Sequence, residues 1–237
     1  MSTERRLWGV FGLLAVAVVL AWSNSLQVPF VYDDRLEVVG NRTIQDLSQW
    51  QLILGYNLSR PLTIGSYALN HAVHGESVLG FHVANVGLQV LNAGLALLAG
   101  RALAKLAGHA RPLWVGGLSA GLWALHPLAT ESVTYIAGRS ELLAGGFVLL
   151  GMWAWSRWLA EGERGLAVLA WGCAALGVLC KESAVVLPAL MLASDWLLVR
   201  KGQLSRVNRL SYWPGLAGLL LFLGLRIWVY GSLTSMA

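Results

Sequence analysis

The residues in this sequence best suited to chemistry are two adjacent acids, Asp33 and Asp34, which follow a short apolar approach, Val28-Pro29-Phe30-Val31-Tyr32. Neighbouring carboxylates repel, so one of them can hold its proton more tightly than normal. A carboxylate tuned in this way accepts a proton from a hydroxyl nucleophile. A solvated turn would use the same residues, so the pair alone leaves both readings open.

Three other segments carry charge between apolar blocks. The stretch from His126-Pro127 through Glu131 to Arg139-Ser140-Glu141 holds one His, two acids and one Arg. Lys181-Glu182 interrupts two apolar blocks, and Arg60-Pro61 precedes another, which opens with His82 and Asn85. Each has a bland reading: an internally paired salt-bridge loop, a snorkelling Lys with a partner acid, or hydrogen-bonded helix residues. The argument lies in their convergence. Arg binds phosphate bidentately and Lys supplies a point charge, so cations and carboxylates beside apolar walls suit an anionic lipid substrate. The outline is group transfer from a lipid phosphate carrier to an acceptor hydroxyl.

The elements that must position these residues are membrane helices. Of 237 residues, 57% are hydrophobic and only 12% charged, about half the charge of a soluble domain, and the mean hydropathy is +0.61. Seven apolar blocks approach the ~20 residues of a bilayer-spanning helix: about Leu7–Trp22, Phe81–Leu103, Pro112–Leu125, Leu142–Leu159, Gly165–Leu179, Ala184–Leu198 and Tyr212–Tyr230. The third and fifth are short. The first reads as an uncleaved anchor rather than a signal peptide. With the N-terminus inside, 11 of the 17 Lys and Arg residues fall in cytoplasmic loops, as the positive-inside rule requires. The acids Asp33, Asp34, Glu37, Asp46, Glu76, Glu131, Glu141 and Glu182 then face outward.

The expected fold is an all-α polytopic membrane protein, a single domain over residues 1–237, with one long outer loop at about 23–80. Within that loop Thr43-Ile44-Gln45-Asp46 reads as a capping box, and Ile44, Leu47, Trp50 and Leu54 recur at helical spacing. They predict a short amphipathic helix on the membrane surface.

The net charge of +5 does not predict nucleic-acid binding, because the basic residues cluster at membrane flanks rather than on one face. Cys173 and Cys180 lie too far apart along a helix for a disulfide and show no zinc spacing. Among acids within spans Asp195 stands out, with Arg200 the natural bridging partner. A lone acid is weak support for a transporter, and no inverted repeat of broken helices is present.

These residues resemble one family. Phe30-Val31-Tyr32-Asp33-Asp34 with Asn41, Arg60-Pro61-Leu62-Thr63, Asn70, Phe81-His82 with Asn85, Leu125-His126-Pro127 with Glu131, Gly138-Arg139 with Glu141, Lys181-Glu182 and Pro188 resemble the TMTC-type membrane O-mannosyltransferases and their bacterial relatives, from about Val28 to Asp195. The resemblance implies a GT-C glycosyltransferase fold, similar to its N-terminal transmembrane module. It implies transfer of a mannose-like sugar from a polyprenyl or dolichyl phosphate, by inverting displacement, at the extracytoplasmic or lumenal face. By the same resemblance Asp33 is the general base and Asp34 positions the acceptor or a metal. Arg60, Arg139 and Lys181 meet the lipid phosphate, and His82, His126, Glu131, Glu141 and Glu182 line or brace the pocket. No cofactor is required. A divalent metal, Mg or Mn, is the one candidate, with Asp33, Asp34 and Glu131 as oxygen donors.

The expected partners are the lipid-linked donor, an acceptor protein or glycan, and membrane lipids. The family continues into further spans and tetratricopeptide repeats, so a further subunit or C-terminal region is also expected. The alternatives are a non-catalytic or truncated subunit that binds polyprenyl phosphate, and a lipid flippase or transporter.

Overall fold

The fold is known from a computed structural model, which describes residues 2–200 and, beyond them, Gly202, Tyr212, Trp213, Gly215, Ala217, Gly218, Gly224 and Ile227. Among the described residues every regular element is helical. The long helices are α1 (Thr3–Trp22), α4 (Val78–Leu106), α7 (Arg139–Glu161) and α9 (Val186–Arg200). With their flanking turns these four are long and apolar enough to cross a membrane. Two more expected spans are shorter: α5 (Pro112–Ala124) has 13 residues and α8 (Arg164–Val178) has 15. At 1.5 Å per residue they rise only about 20 and 22 Å, against a hydrocarbon core of about 30 Å. The seventh expected span, Tyr212–Tyr230, falls almost wholly outside the described residues.

Helix α4 is the hub, packing against α1, α5 and α7, while α7 also packs on α8 and α9. Small residues let these helices approach. A Cβ on Gly116 would lie 2.6 Å from the Leu97 carbonyl oxygen, so α5 can seat on α4 only with glycine there. Polar side chains add ties across the apolar packing: Gln89 donates to the Ala124 carbonyl at 2.9 Å and Asn92 to that of Leu142 at 2.8 Å. Asp195 does not bridge to Arg200. Its carboxylate accepts from Trp155 Nε1 at 2.8 Å and from the Tyr212 hydroxyl at 2.7 Å, and Arg200 lies over the Trp196 ring.

The long loop is more structured than its sequence pattern suggests. Thr43 does not cap a helix. Asn41 takes that role, accepting from the Thr43 N–H, and Asp46, expected at the third helical position, caps the next turn through the Ser48 N–H. The stretch from 42 to 56 is therefore two short 3₁₀ turns followed by α2 (Trp50–Tyr56). Asx side chains favour local N–H partners over continuing a helix; here Asn41 starts the first turn ahead of Thr43 and Asp46 divides the predicted helix. A further helix, α3 (Pro61–His74), starts with Pro at its first position, where the missing N–H costs nothing. Ile44, Ile53, Ile64, Tyr67, Phe81 and Ile136 pack together as a core beneath the loop.

Candidate functional site

The two aspartates have opposite environments. Asp34 is buried, at 1% exposure. Its Oδ2 accepts from the Val31 N–H at 3.1 Å and its Oδ1 from the Ala137 N–H at 2.7 Å. Burial raises its carboxyl above the ordinary aspartate range, against the lowering effect of those two hydrogen bonds. Asp33 is exposed, and its backbone N–H donates to the Tyr135 hydroxyl at 2.9 Å. Burial, with Asp33 close by, pushes the Tyr135 phenol up to about 12.

The backbone that presents the pair is strained. Tyr32 has φ +46, the one non-glycine residue with positive φ among those described, at a cost of order 1–3 kcal/mol. A single π-helical turn, Arg35–Val39, follows, and the Asp33 carbonyl accepts from both Leu36 and Glu37. That turn brings Glu37 back towards the aspartates. Burial raises the Glu37 carboxyl, Arg60 and Lys181 draw it down, and Asp33 and Asp34 add to the rise.

The cations arrive on two tethered segments. Leu62 N–H donates to the Leu179 carbonyl at 3.2 Å, and Thr63 Oγ1 to that of Cys180 at 2.9 Å. These bonds hold the start of α3 against the turn that carries Lys181 and Glu182. Arg60 pairs with Glu182 at 3.6 Å, both about one-third exposed. Lys181 pairs with Glu141, whose other oxygen accepts from Ser183 at 3.4 Å.

Arg139 is placed differently from the other two cations. It is buried at 2% exposure. Nε donates to Asn85 Oδ1 at 2.7 Å, Nη2 to Asn70 Oδ1 at 2.8 Å and to the Phe81 carbonyl at 3.0 Å, and Nη1 to the Ser66 carbonyl at 3.3 Å. The guanidinium also lies 5.0 Å from the Tyr67 ring centroid. Its partners are neutral and internal, so it knits α3, α4 and α7 together. Gly138 makes this possible, since a Cβ there would lie 2.5 Å from the Glu131 carbonyl oxygen. His82 is likewise internal, at 0% exposure, with Nε2 at 2.8 Å from the Val28 carbonyl oxygen. It braces the approach to the acid pair.

Relatives of known name match this stretch of chain. The chain is 33% identical over 197 residues to the Drosophila melanogaster protein O-mannosyl-transferase Tmtc1, covering 77% of this chain and 22% of that protein. It is 27% identical over 216 residues to TMTC2 of Mus musculus, covering 82% and 25%. It is 28% identical over 226 residues to TMTC4 of Homo sapiens, covering 82% and 30%. The chain is a relative of the TMTC-type protein O-mannosyl-transferases. It spans about a quarter of the length of those proteins. No protein-family profile matches the chain, and no solved structure matches it.

In this TMTC relative the remaining expected site residues make no hydrogen bond or ion pair to the aspartates among the described residues, though the Glu131 carbonyl lies against Gly138, next to the Ala137 that holds Asp34. Glu131 is exposed on α6 (Ala129–Thr134). His126 is exposed just past α5, with Nδ1 accepting from the Leu128 N–H at 3.2 Å. His126 and Glu141 line a separate cavity of about 420 Å³ with Gln89, Asn92, Trp123 and Leu128. Asp33, Asp34 and Glu131 do not form a metal-binding group, and no three His, Cys, Asp or Glu side chains do so among the described residues. The donor set suggested by the sequence is thus not gathered into one group among the described residues, and both Asp34 oxygens accept backbone N–H groups.

Two contributors went unassigned in the sequence. Glu37 had a signal, since a helical turn places it on the side of Asp33 and Asp34. Tyr135 had none, because its role rests on a contact across 102 residues.

Proposed function

We propose that this chain is the membrane-embedded module of a GT-C-type glycosyltransferase. It transfers a mannose-like sugar from a polyprenyl or dolichyl phosphate to a hydroxyl, in the first instance that of a protein Ser or Thr. The observation that carries this reading is the exposed Asp33, its backbone held by Tyr135 beside the anchored Asp34, next to a Glu37 that feels both this acid pair and the cations Arg60 and Lys181. The transferase names of the relatives support the reaction class.

In this mechanism the Asp33 carboxylate takes the proton of the acceptor hydroxyl. The hydroxyl oxygen attacks the anomeric carbon as the bond from that carbon to the lipid phosphate oxygen breaks. The phosphate leaves with the bonding pair, and the configuration inverts. Arg60 and Lys181 stabilise the charge that develops on the phosphate. Both are held in ion pairs whose members are 26% to 40% exposed. Such pairs are worth at most about 1 kcal/mol, so exchanging a carboxylate for a lipid phosphate costs little. Arg139 and Asp34 position these groups through the backbone and Asn85 rather than touching substrate. No step depends on a metal.

The test is sugar transfer by the purified chain, supplied with radiolabelled polyprenyl-phosphate mannose and a Ser/Thr-rich peptide. Transfer that is lost in Asp33→Asn supports the assignment. Transfer that survives in the variant removes Asp33 as the base. Donor binding without transfer in the unaltered chain assigns it a carrier-binding role instead.

A further inference from the structure

The cavity beside α6 is chemically unlike the Asp33 face. It is lined by Gln89 and Asn92 of α4, Trp123 and His126 at the end of α5, Leu128, Ala129 and Ser132 around α6, and Glu141 and Leu142 of α7. Its volume of about 420 Å³ falls within the range of small-molecule sites, about 300–1,000 Å³. Glu141 links it to the cation side, through Lys181.

Three observations define what fits. Gln89 is 1% exposed, and its Nε2 is used by the Ala124 carbonyl while its Oε1 has no hydrogen-bond partner. A buried acceptor left unpaired costs about 1–3 kcal/mol, so the site favours a ligand that brings a donor. Glu141 is the one Lys, Arg, Asp or Glu among the lining residues, and it is engaged by Lys181 and Ser183. A phosphate or carboxylate would meet no free cation here and would bring no donor for Gln89. Trp123 and Leu128, which line the cavity, are exposed at 43% and 82%, and Leu122 and Leu125 of the same segment at 75% and 38%. A lipid chain can lie against them.

We propose that this cavity binds the neutral, hydroxyl-bearing head of a lipid, with the chain lying along the Leu122–Leu128 edge. A hydroxyl both donates and accepts, which suits a site whose lining residues include Gln89, Ser132 and His126. The Asp33 face, with its cations, suits an anionic head, so the two sites take opposite head-group classes. The proposal does not rest on the transferase reading.

The test is photolabelling of the full chain in phosphatidylcholine nanodiscs, after purification without glycoside detergent. The probe is an alkyl glucoside with a diazirine near its head. The label is expected on the segment Trp123–Ser132 and is competed by octyl glucoside, but not by octyl phosphate or octylamine. Gln89→Leu should weaken labelling about tenfold, the loss of one hydrogen bond to a buried acceptor. Ala129→Phe, which fills the cavity from its partly exposed wall, should abolish labelling and decides the matter if Gln89→Leu does not fold. Asp33→Asn should label like the unaltered chain, which separates this proposal from the transferase reading. Absence of label on this segment, equal competition by octyl phosphate or octylamine, or full labelling in a folded Ala129→Phe overturns it.

Discussion

Asp34 Oδ1 accepts the Ala137 N–H at 2.7 Å across 103 residues of chain. That bond fixes the acid pair to the turn immediately before Arg139, and so joins the first loop to the start of α7. It also separates two side chains that look equivalent in sequence: Asp34 serves the fold and Asp33 is left to face solvent.

Replacing the two should therefore give opposite phenotypes. Asp34→Ala strands the N–H groups of Val31 and Ala137 and should lower stability by about 2–4 kcal/mol, read as a fall in melting temperature. Asp33→Asn should leave the melting temperature near that of the unaltered chain and reduce sugar transfer by about 10²–10⁴. Equal destabilisation by both would contradict the assignment.

Arg139 should behave as a structural residue. Lys has no planar fork with which to reach Asn85, Asn70 and two carbonyls at once, so Arg139→Lys should cost several kcal/mol, about 3 or more for a broken buried network. The expected readout is loss of monodisperse protein on size exclusion. Arg60→Ala, at a pair about one-third exposed, should cost under about 1 kcal/mol and act instead on donor binding. Normal folding of Arg139→Lys with weakened donor binding would reverse this ranking.

The strain at Tyr32 can be released. Tyr32→Gly removes the Cβ penalty at φ +46 and should raise stability by about 1 kcal/mol, less whatever entropy the glycine adds to the unfolded chain. The melting temperature then rises slightly or holds, while transfer falls because Asp33 is less firmly aimed. A clear drop in melting temperature would show that the Tyr32 ring, edge-to-face with Tyr135 at 6.5 Å, contributes more than the strain costs.

Glu37 and Asp34 give stability a definite pH slope. Burial raises both carboxyls in the native state, so the folded chain binds more protons than the unfolded chain between the ordinary and the raised values. Stability contributed by these groups is present at low pH and declines as pH rises through that window. Glu37→Gln should flatten the decline and melt higher than the unaltered chain above the window. Melting temperature against pH for both proteins tests this, and a steeper decline in the variant would refute it.

Some of this was readable from composition and periodicity. Long uncharged runs fix an all-helical, membrane-type chain, because a backbone in lipid must satisfy its own hydrogen bonds, and α1, α4, α7 and the helix ending at Arg200 appear where those runs predict. The pieces Phe30–Asp34, Arg60–Thr63, Phe81–Asn85 and Lys181-Glu182 were visible as charge breaking an apolar pattern. What each charge touches was not visible. Two aspartates one residue apart share the same sequence signal, and only packing against residue 137 decides which is buried. Arg139 and Arg60 likewise both read as phosphate ligands, yet one turns inward to Asn70 and Asn85 while the other stays at the surface beside Glu182. The sequence determined the helices and the kinds of group available, since both follow from local composition. Tertiary structure alone decided burial, ion-pair partners and the unpaired Gln89, since each depends on contacts between segments far apart in the chain.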